Sequence, residues 1–387
     1  MLKSSYSHIG VLVVLVSCSY PFALESIDDN KVLIVNGIIT GDLGNQQIEL
    51  SLAASLDTLF IIPSSDAEVI VTKNFTETYV FQETTPGIYK SIDPFKGEVG
   101  DQFELTINYP SGESYKSEVV THKPTVPIDS IAAVYSTNND IGGVEVRVIS
   151  TRTNEAVKYL RWTYDETYEI KVPFASLFRW VGGNKAVTRD TTERVETCWR
   201  TIKGENVFIR DLNTTAVDGQ LGLPIRFIEN DAVELRHKVS FLVTQYTVDF
   251  TGYSFWNTFD RILSENGSLA DVQPGNPVGN IYSEEGHAVI GYFDASDIAQ
   301  KRVFIKPSDF EGQFTTSKFD WDRCIQRKVR IDTLGKWMTE VGEEYYTLYR
   351  ELDKPGNPPS VWGYTYVLKS CGDCRVYGTN SKPEFWQ

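Results

Sequence analysis

Five cysteines and four histidines in 387 residues limit the chemistry open to this chain. Cys371-Gly-Asp-Cys374 has the spacing of a thiol–disulfide centre or of one half of a zinc ribbon. A redox pair of that kind opens a helix, whereas Val361 to Leu368 just before it alternates like a strand. A zinc ribbon needs a second close pair, and Cys198 and Cys324 stand far apart. Of the histidines beyond the N-terminal segment, His122, His237 and His287 are scattered; His237 between Arg236 and Lys238 reads as a solvated strand start, and His287 as a loop residue. There is no Gly-x-Ser-x-Gly elbow, no phosphate-cradling glycine loop and no His-Glu-x-x-His. Asp28-Asp29 and Asp320-Trp-Asp322 lack the ligand density of a calcium loop. The 52 acidic residues make any carboxylate pair unremarkable without geometry. The reading is no catalytic residues, no metal and no enzyme.

Cys18 stands apart from the other four. Lys3 is followed by the apolar run Ile9 to Val16 and then Ser17-Cys18, a basic start, a short apolar core and a small residue at a cut site. The run is too short to span a bilayer, which takes about 20 apolar residues. Leu15-Val16-Ser17-Cys18 resembles the lipobox of bacterial lipoproteins, which implies cleavage before Cys18 and lipidation of its thiol. That covalent lipid is the only added group expected, with no other cofactor. An anchor of two or more acyl chains holds stably, each buried CH₂ contributing about 0.8 kcal/mol. With Cys18 so used, Cys198, Cys324, Cys371 and Cys374 are the disulfide candidates, an even number suited to an exported chain, with three pairings open.

Charge and composition bound the rest. Lys+Arg 37 against Asp+Glu 52 gives −15, which excludes nucleic acid as the main partner. Hydrophobic residues at 41% and charged residues at 23% describe a folding chain. Residues 1–17 form the signal peptide and 18–30 a tether. Residues 31–126 hold about seven short strands, among them Val32 to Ile39, Ile48 to Leu52, Ala67 to Val71 and Phe103 to Asn108, with turn residues between them. The spacing predicts an immunoglobulin-like β-sandwich. Lys123-Pro-Thr-Val-Pro127 marks the boundary, because prolines cannot donate to a sheet ladder. Residues 127–387 form a larger β-rich domain with one or two short helices. One spans about Tyr253 to Ser264, where Phe255, Trp256, Phe259, Ile262 and Leu263 recur at helical spacing, with Asn266-Gly267 to stop it; Gly335 to Leu352 is the other candidate.

The aromatic residues fit a sugar-stacking surface or a protein interface. Most of Trp162, Trp180, Trp199, Trp256 and Trp362 sit among apolar neighbours and read as core, leaving Phe178, Trp180, Tyr345 and Tyr346 as interface candidates. Several segments together resemble a known family: the lipobox, Pro86-Gly-Ile-Tyr-Lys90, Gly97-Glu-Val-Gly100, Arg161-Trp-Thr-Tyr-Asp-Glu166, Phe255-Trp256, Gly291 to Ser296, Cys371 to Arg375 and Lys382-Pro-Glu-Phe-Trp386. The whole is similar to an outer-membrane lipoprotein family of Bacteroidota classed as domain of unknown function 4249. The resemblance implies a place beside TonB-dependent transporters of the nutrient-uptake type and brings no catalytic residue set. The expected function is a non-enzymatic surface lipoprotein, an accessory subunit of an outer-membrane β-barrel complex, either such a transporter or the outer-membrane protein assembly machine. The larger domain, which holds all eight Trp, would supply most of the contact. Capture of a glycan or peptide is the second reading and a hydrolase the third.

Overall fold

A computed structural model describes residues 32–55, 58–215, 220–264, 277–313, 324–356 and 360–387. The chain is mainly β, 53% strand and 14% helix, as the alternating apolar pattern predicts. Cys18, Asp28-Asp29, Asn266-Gly267 and Asp320 to Asp322 lie outside the described residues.

The first body is one eleven-stranded sheet that curls nearly closed. Its path runs from Val289–Ser296 through Val32–Thr40, Gln47–Ser55, Ile88–Ser91, Glu77–Thr85, Glu68–Lys73, Gln102–Asn108 and Ser114–Ser117 to Ile281–Tyr282. Every second residue turns inward: Leu33, Val35 and Ile39, then Val69 and Val71, then Phe103, Leu105 and Ile107 are all buried. Burial of each such side chain contributes about 1.5–3 kcal/mol. The sequence boundary at 126 therefore does not bound this body. Residues 281–296 return to it, and Val289–Ser296 lies parallel to Val32–Thr40, with Val35 opposite Gly291 and Gly37 opposite Phe293. Local patterning shows that a segment is a strand, but not which sheet receives it.

The rest of residues 127–387 makes two further bodies. In the second, Ile128–Asn138, Ile141–Thr151 and Gln220–Glu229 form a three-stranded sheet. It faces a five-stranded sheet of Thr197–Lys203, Tyr159–Lys171, Phe208–Asp211, Val239–Val248 and Ile298–Ile305. Val144, Val146 and Val148 from one side meet Leu160, Trp162, Phe241 and Val243 from the other in a common core. The third body is a small sheet of Phe178–Trp180, Ala186–Thr188, Tyr346–Lys354, Ser360–Leu368 and Arg327–Arg330. The Gly335 to Leu352 candidate is split here. Helical turns run from Leu334 to Tyr345, and Tyr346 onward is a strand paired with Ser360–Leu368, so the ambiguous aromatics serve both. Cys198 bonds Cys374 and Cys324 bonds Cys371, so the first bridge ties the end of the third body to the Thr197–Lys203 strand of the second body, while the second bridge joins the chain just before Arg327–Arg330 to the chain just after Ser360–Leu368.

Two strands of chain cross side by side from the first body to the second. Lys123 N donates to Ala295 O at 3.1 Å, and Asp297 N donates to Lys123 O at 2.8 Å. His122 is buried and its Nε2 lies 3.0 Å from Asp297 Oδ1. Gly97 lies flat against this imidazole, and a Cβ there would overlap Nδ1 and Cε1. Held by Asp297, the ring cannot swing aside. Gly97→Ala should therefore cost about 1–3 kcal/mol by overpacking, read as a lowered urea midpoint. An unchanged midpoint would show that the crossing yields freely.

Candidate functional site

Where the two bodies meet, the Val32–Thr40/Gln47–Ser55 hairpin leans over the outer face of the five-stranded sheet and leaves an open cleft of about 570 Å³. The period of the strands decides what faces it. Along Tyr159–Lys171, Leu160 and Trp162 point into the core, so Arg161, Thr163 and Asp165 point out and line the cleft. Along Val239–Val248, Phe241 and Val243 go inward, and Leu242, Thr244 and Tyr246 line the opening. Gln300 Nε2 donates to Thr244 Oγ1 at 3.0 Å, and Thr163 Oγ1 is 3.2 Å from Tyr246 OH. Lys203 Nζ, 3.5 Å from Glu49 Oε1, forms an ion pair between the two bodies at this cleft.

Arg161 is the unusual member. Its guanidinium Cζ stacks 3.8 Å from the Trp256 ring centroid and 5.5 Å from that of Tyr246. Trp256 comes from the helix Phe250–Ser264, whose first turn is capped by Asp249 Oδ1 accepting from Gly252 N at 2.7 Å. That cap explains why the helix begins ahead of Tyr253. The Arg161 Nε is buried and has no hydrogen-bond acceptor. Burial pushes the guanidinium pKa below its ordinary 12.5, opposed by the nearby Tyr246 and Asp294 charges.

Behind Arg161 lies a buried ionic group at the crossing. Lys123 Nζ bonds Asp294 Oδ1 and lies 3.8 Å from Asp249 Oδ2, and Tyr292 OH donates to Asp249 Oδ1 at 2.9 Å. Burial holds the Asp294 carboxyl above its ordinary 3.8, with Lys123 opposing. Burial, then the Asp294 and Asp249 charges, push the Tyr292 phenol far up. The cleft lining contains no His, Cys or Ser, and among the described residues no three or more His, Cys, Asp or Glu side chains are grouped to hold a metal.

The interface candidates lie elsewhere, in the third body. Phe178 is half-buried with its ring 5.4 Å from Tyr364, and half-buried Trp180 donates through Nε1 to Gly183 O at 2.7 Å. Tyr346 is half-buried with its ring 5.2 Å from Tyr366. Tyr345, 54% exposed, is the one of the four that stays open, one helical turn beyond exposed Val341. His237 is half-buried rather than solvated, and burial pushes its pKa below 6.5. His287 is an exposed loop residue as read, beside a second hollow that Tyr109 and Tyr115 also line. There burial holds the Tyr109 phenol up to about 12, and its OH is satisfied by Ser64 Oγ at 2.7 Å. Arg161 was not among the expected site residues. The signal was a cation at an outward position of a strand otherwise flanked by aromatics.

A family model described as Domain of unknown function (DUF4249) matches residues 19–302. The chain belongs to this family. No curated protein matches it. The DUF4249 match covers the first body and nearly all of the second, hence the whole cleft, and stops before Cys324, Cys371 and Cys374. No helix among the described residues of this DUF4249 protein is long and apolar enough to cross a membrane.

Proposed function

We propose that this DUF4249 protein is a non-enzymatic lipoprotein, held in the outer membrane by lipid on Cys18 and facing the cell surface, where it serves a β-barrel of the TonB-dependent transporter type as an accessory subunit. In that role the cleft between the first two bodies holds a polar solute for uptake. The observation that carries the reading is the cleft itself. It is open and polar, it is lined by fixed strands, it presents a guanidinium whose Nε has no acceptor, and its lining holds no Ser, Cys or His. A transport accessory needs to hold and release a solute, and this lining is suited to that.

The test uses the full chain, because removing 31–123 would strip Val289–Ser296 and Ile281–Tyr282 of their sheet partners. A C-terminally tagged protein, recovered from gently solubilised membranes, should bring a single outer-membrane barrel in near-equal amount. Cys18→Ala should move the protein to the soluble fraction and reduce that recovery several-fold. A lone monomer from wild-type membranes would overturn the accessory role, and undiminished retention of purified Cys18→Ala on lipid vesicles would overturn the anchor.

A further inference from the structure

We infer that the cleft is selective for solutes bearing a carboxylate, which Arg161 would receive through paired N–H donors. This deepens the capture reading above and rests on it. Arg161 makes no hydrogen bond or ion pair among the described residues, although it lines an open cleft. Stacking on Trp256 and Tyr246 fixes the plane of the guanidinium without satisfying its donors, which lie in that plane. Nε is itself buried, so a solute in the cleft would be met by the Nη end of the fork, whose paired N–H groups a carboxylate can fill bidentately.

The protein's own carboxylates do not fill that role. Asp294, whose charge Arg161 feels, is bonded by Lys123 through Oδ1 alone, and although its buried Oδ2 has no partner it forms no ion pair with Arg161. Glu49 is taken by Lys203. Asp165 sits on the same strand face four residues on, about 13 Å along it. The same inventory favours a carboxylate over a phosphate or sulfate. Asp42, Glu49 and Asp165 line the cleft against Lys203 as the only other cation, so a dianion would meet more repulsion than a single negative charge.

Two sources share this chemistry, a peptide C-terminus and an acidic sugar, and paired probes separate them. Titration calorimetry on the detergent-solubilised full chain would compare trialanine with trialanine amide, and a glucuronic-acid disaccharide with cellobiose. At least one acid should bind, about tenfold or more tighter than its neutral counterpart, and the acid that binds identifies the source. Arg161→Gln should weaken it by about tenfold to a hundredfold, the worth of a charge-assisted hydrogen bond. Arg161→Lys keeps the cation and the fold but loses the fork, and it should also lose most of the preference; it remains informative if Arg161→Gln does not fold. Equal binding of acid and neutral probes, full affinity in Arg161→Lys, or no binding of either acid would each overturn the inference. Acid binding without barrel recovery would remove the accessory role alone, and barrel recovery without acid binding would remove only this inference.

Discussion

Cutting the Cys198–Cys374 bridge by a double alanine substitution should lower stability by about 2–5 kcal/mol, more than cutting Cys324–Cys371. Loop entropy sets the order. The first bridge closes 176 residues and the second 47. The chain-entropy model gives roughly 5 kcal/mol for the longer closure and roughly 4 for the shorter, and measured values commonly fall below it. Packing acts in the same direction. Cys198 and Cys374 are fully buried and make up half of a small apolar cluster with Val172 and Val195. The adjacent tail is held by Trp199 N to Thr379 O at 2.8 Å and by Trp386 packed edge-on to Trp199. Without the bridge, the tail and the third body should open before the first two bodies do. Urea unfolding gives the magnitude, and limited proteolysis should show early cuts confined to the third body, that is to the stretch around Phe178–Trp180 and Ala186–Thr188 and to residues beyond 305. An unchanged midpoint with cuts spread over the whole chain would contradict both claims.

The residues that sequence reasoning placed well are those whose role is local. Alternation along Val32 to Ile39 and Phe103 to Asn108 marks strands, because one face is buried and the other is not. The spacing of Phe255, Trp256 and Phe259 marks a helix for the same kind of reason, and Asp249 supplies a cap that position alone does not reveal. Even the disulfides were legible as a set, though not as pairs, since pairing depends on which strands become neighbours. The site was not legible, because it belongs to no single segment. Arg161 sits on one strand, Trp256 on a helix about a hundred residues later, and the opposite wall comes from Gly37 to Glu49. What joins them is the return of residues 281–296 into the first body, a long-range pairing with no local signature. Lys123 illustrates the same limit: read as a linker residue, it is the cation at the centre of the crossing.

Lys123→Met should therefore destabilise the protein by about 3–5 kcal/mol at pH 7, and the deficit should shrink in acid. Lys123 and Asp294 keep only 16% and 6% of their side-chain surface, so removing the ammonium leaves a buried carboxylate without its counter-charge. Burial already raises the folded-state pKa of Asp294 above its ordinary 3.8, with Lys123 the first opposing influence. An acid raised in this way contributes stability that is complete below the unfolded value, near pH 4, and is lost as pH rises through the folded value. In Lys123→Met the folded value moves higher still, because the Asp249 charge remains and the opposing cation is gone. The variant should then gain on wild type as the pH falls from 7 toward 4, when Asp294 takes up its proton. Adding Asp294→Asn to Lys123→Met should restore most of the loss at pH 7 and flatten the pH dependence, giving a coupling of the two sites well above 0.5 kcal/mol. Thermal unfolding of the three variants at pH 4.5, 5.5 and 7 measures this. A deficit that stayed constant with pH would mean that Asp294 is ionised and well solvated, and that the crossing is held by its backbone hydrogen bonds alone.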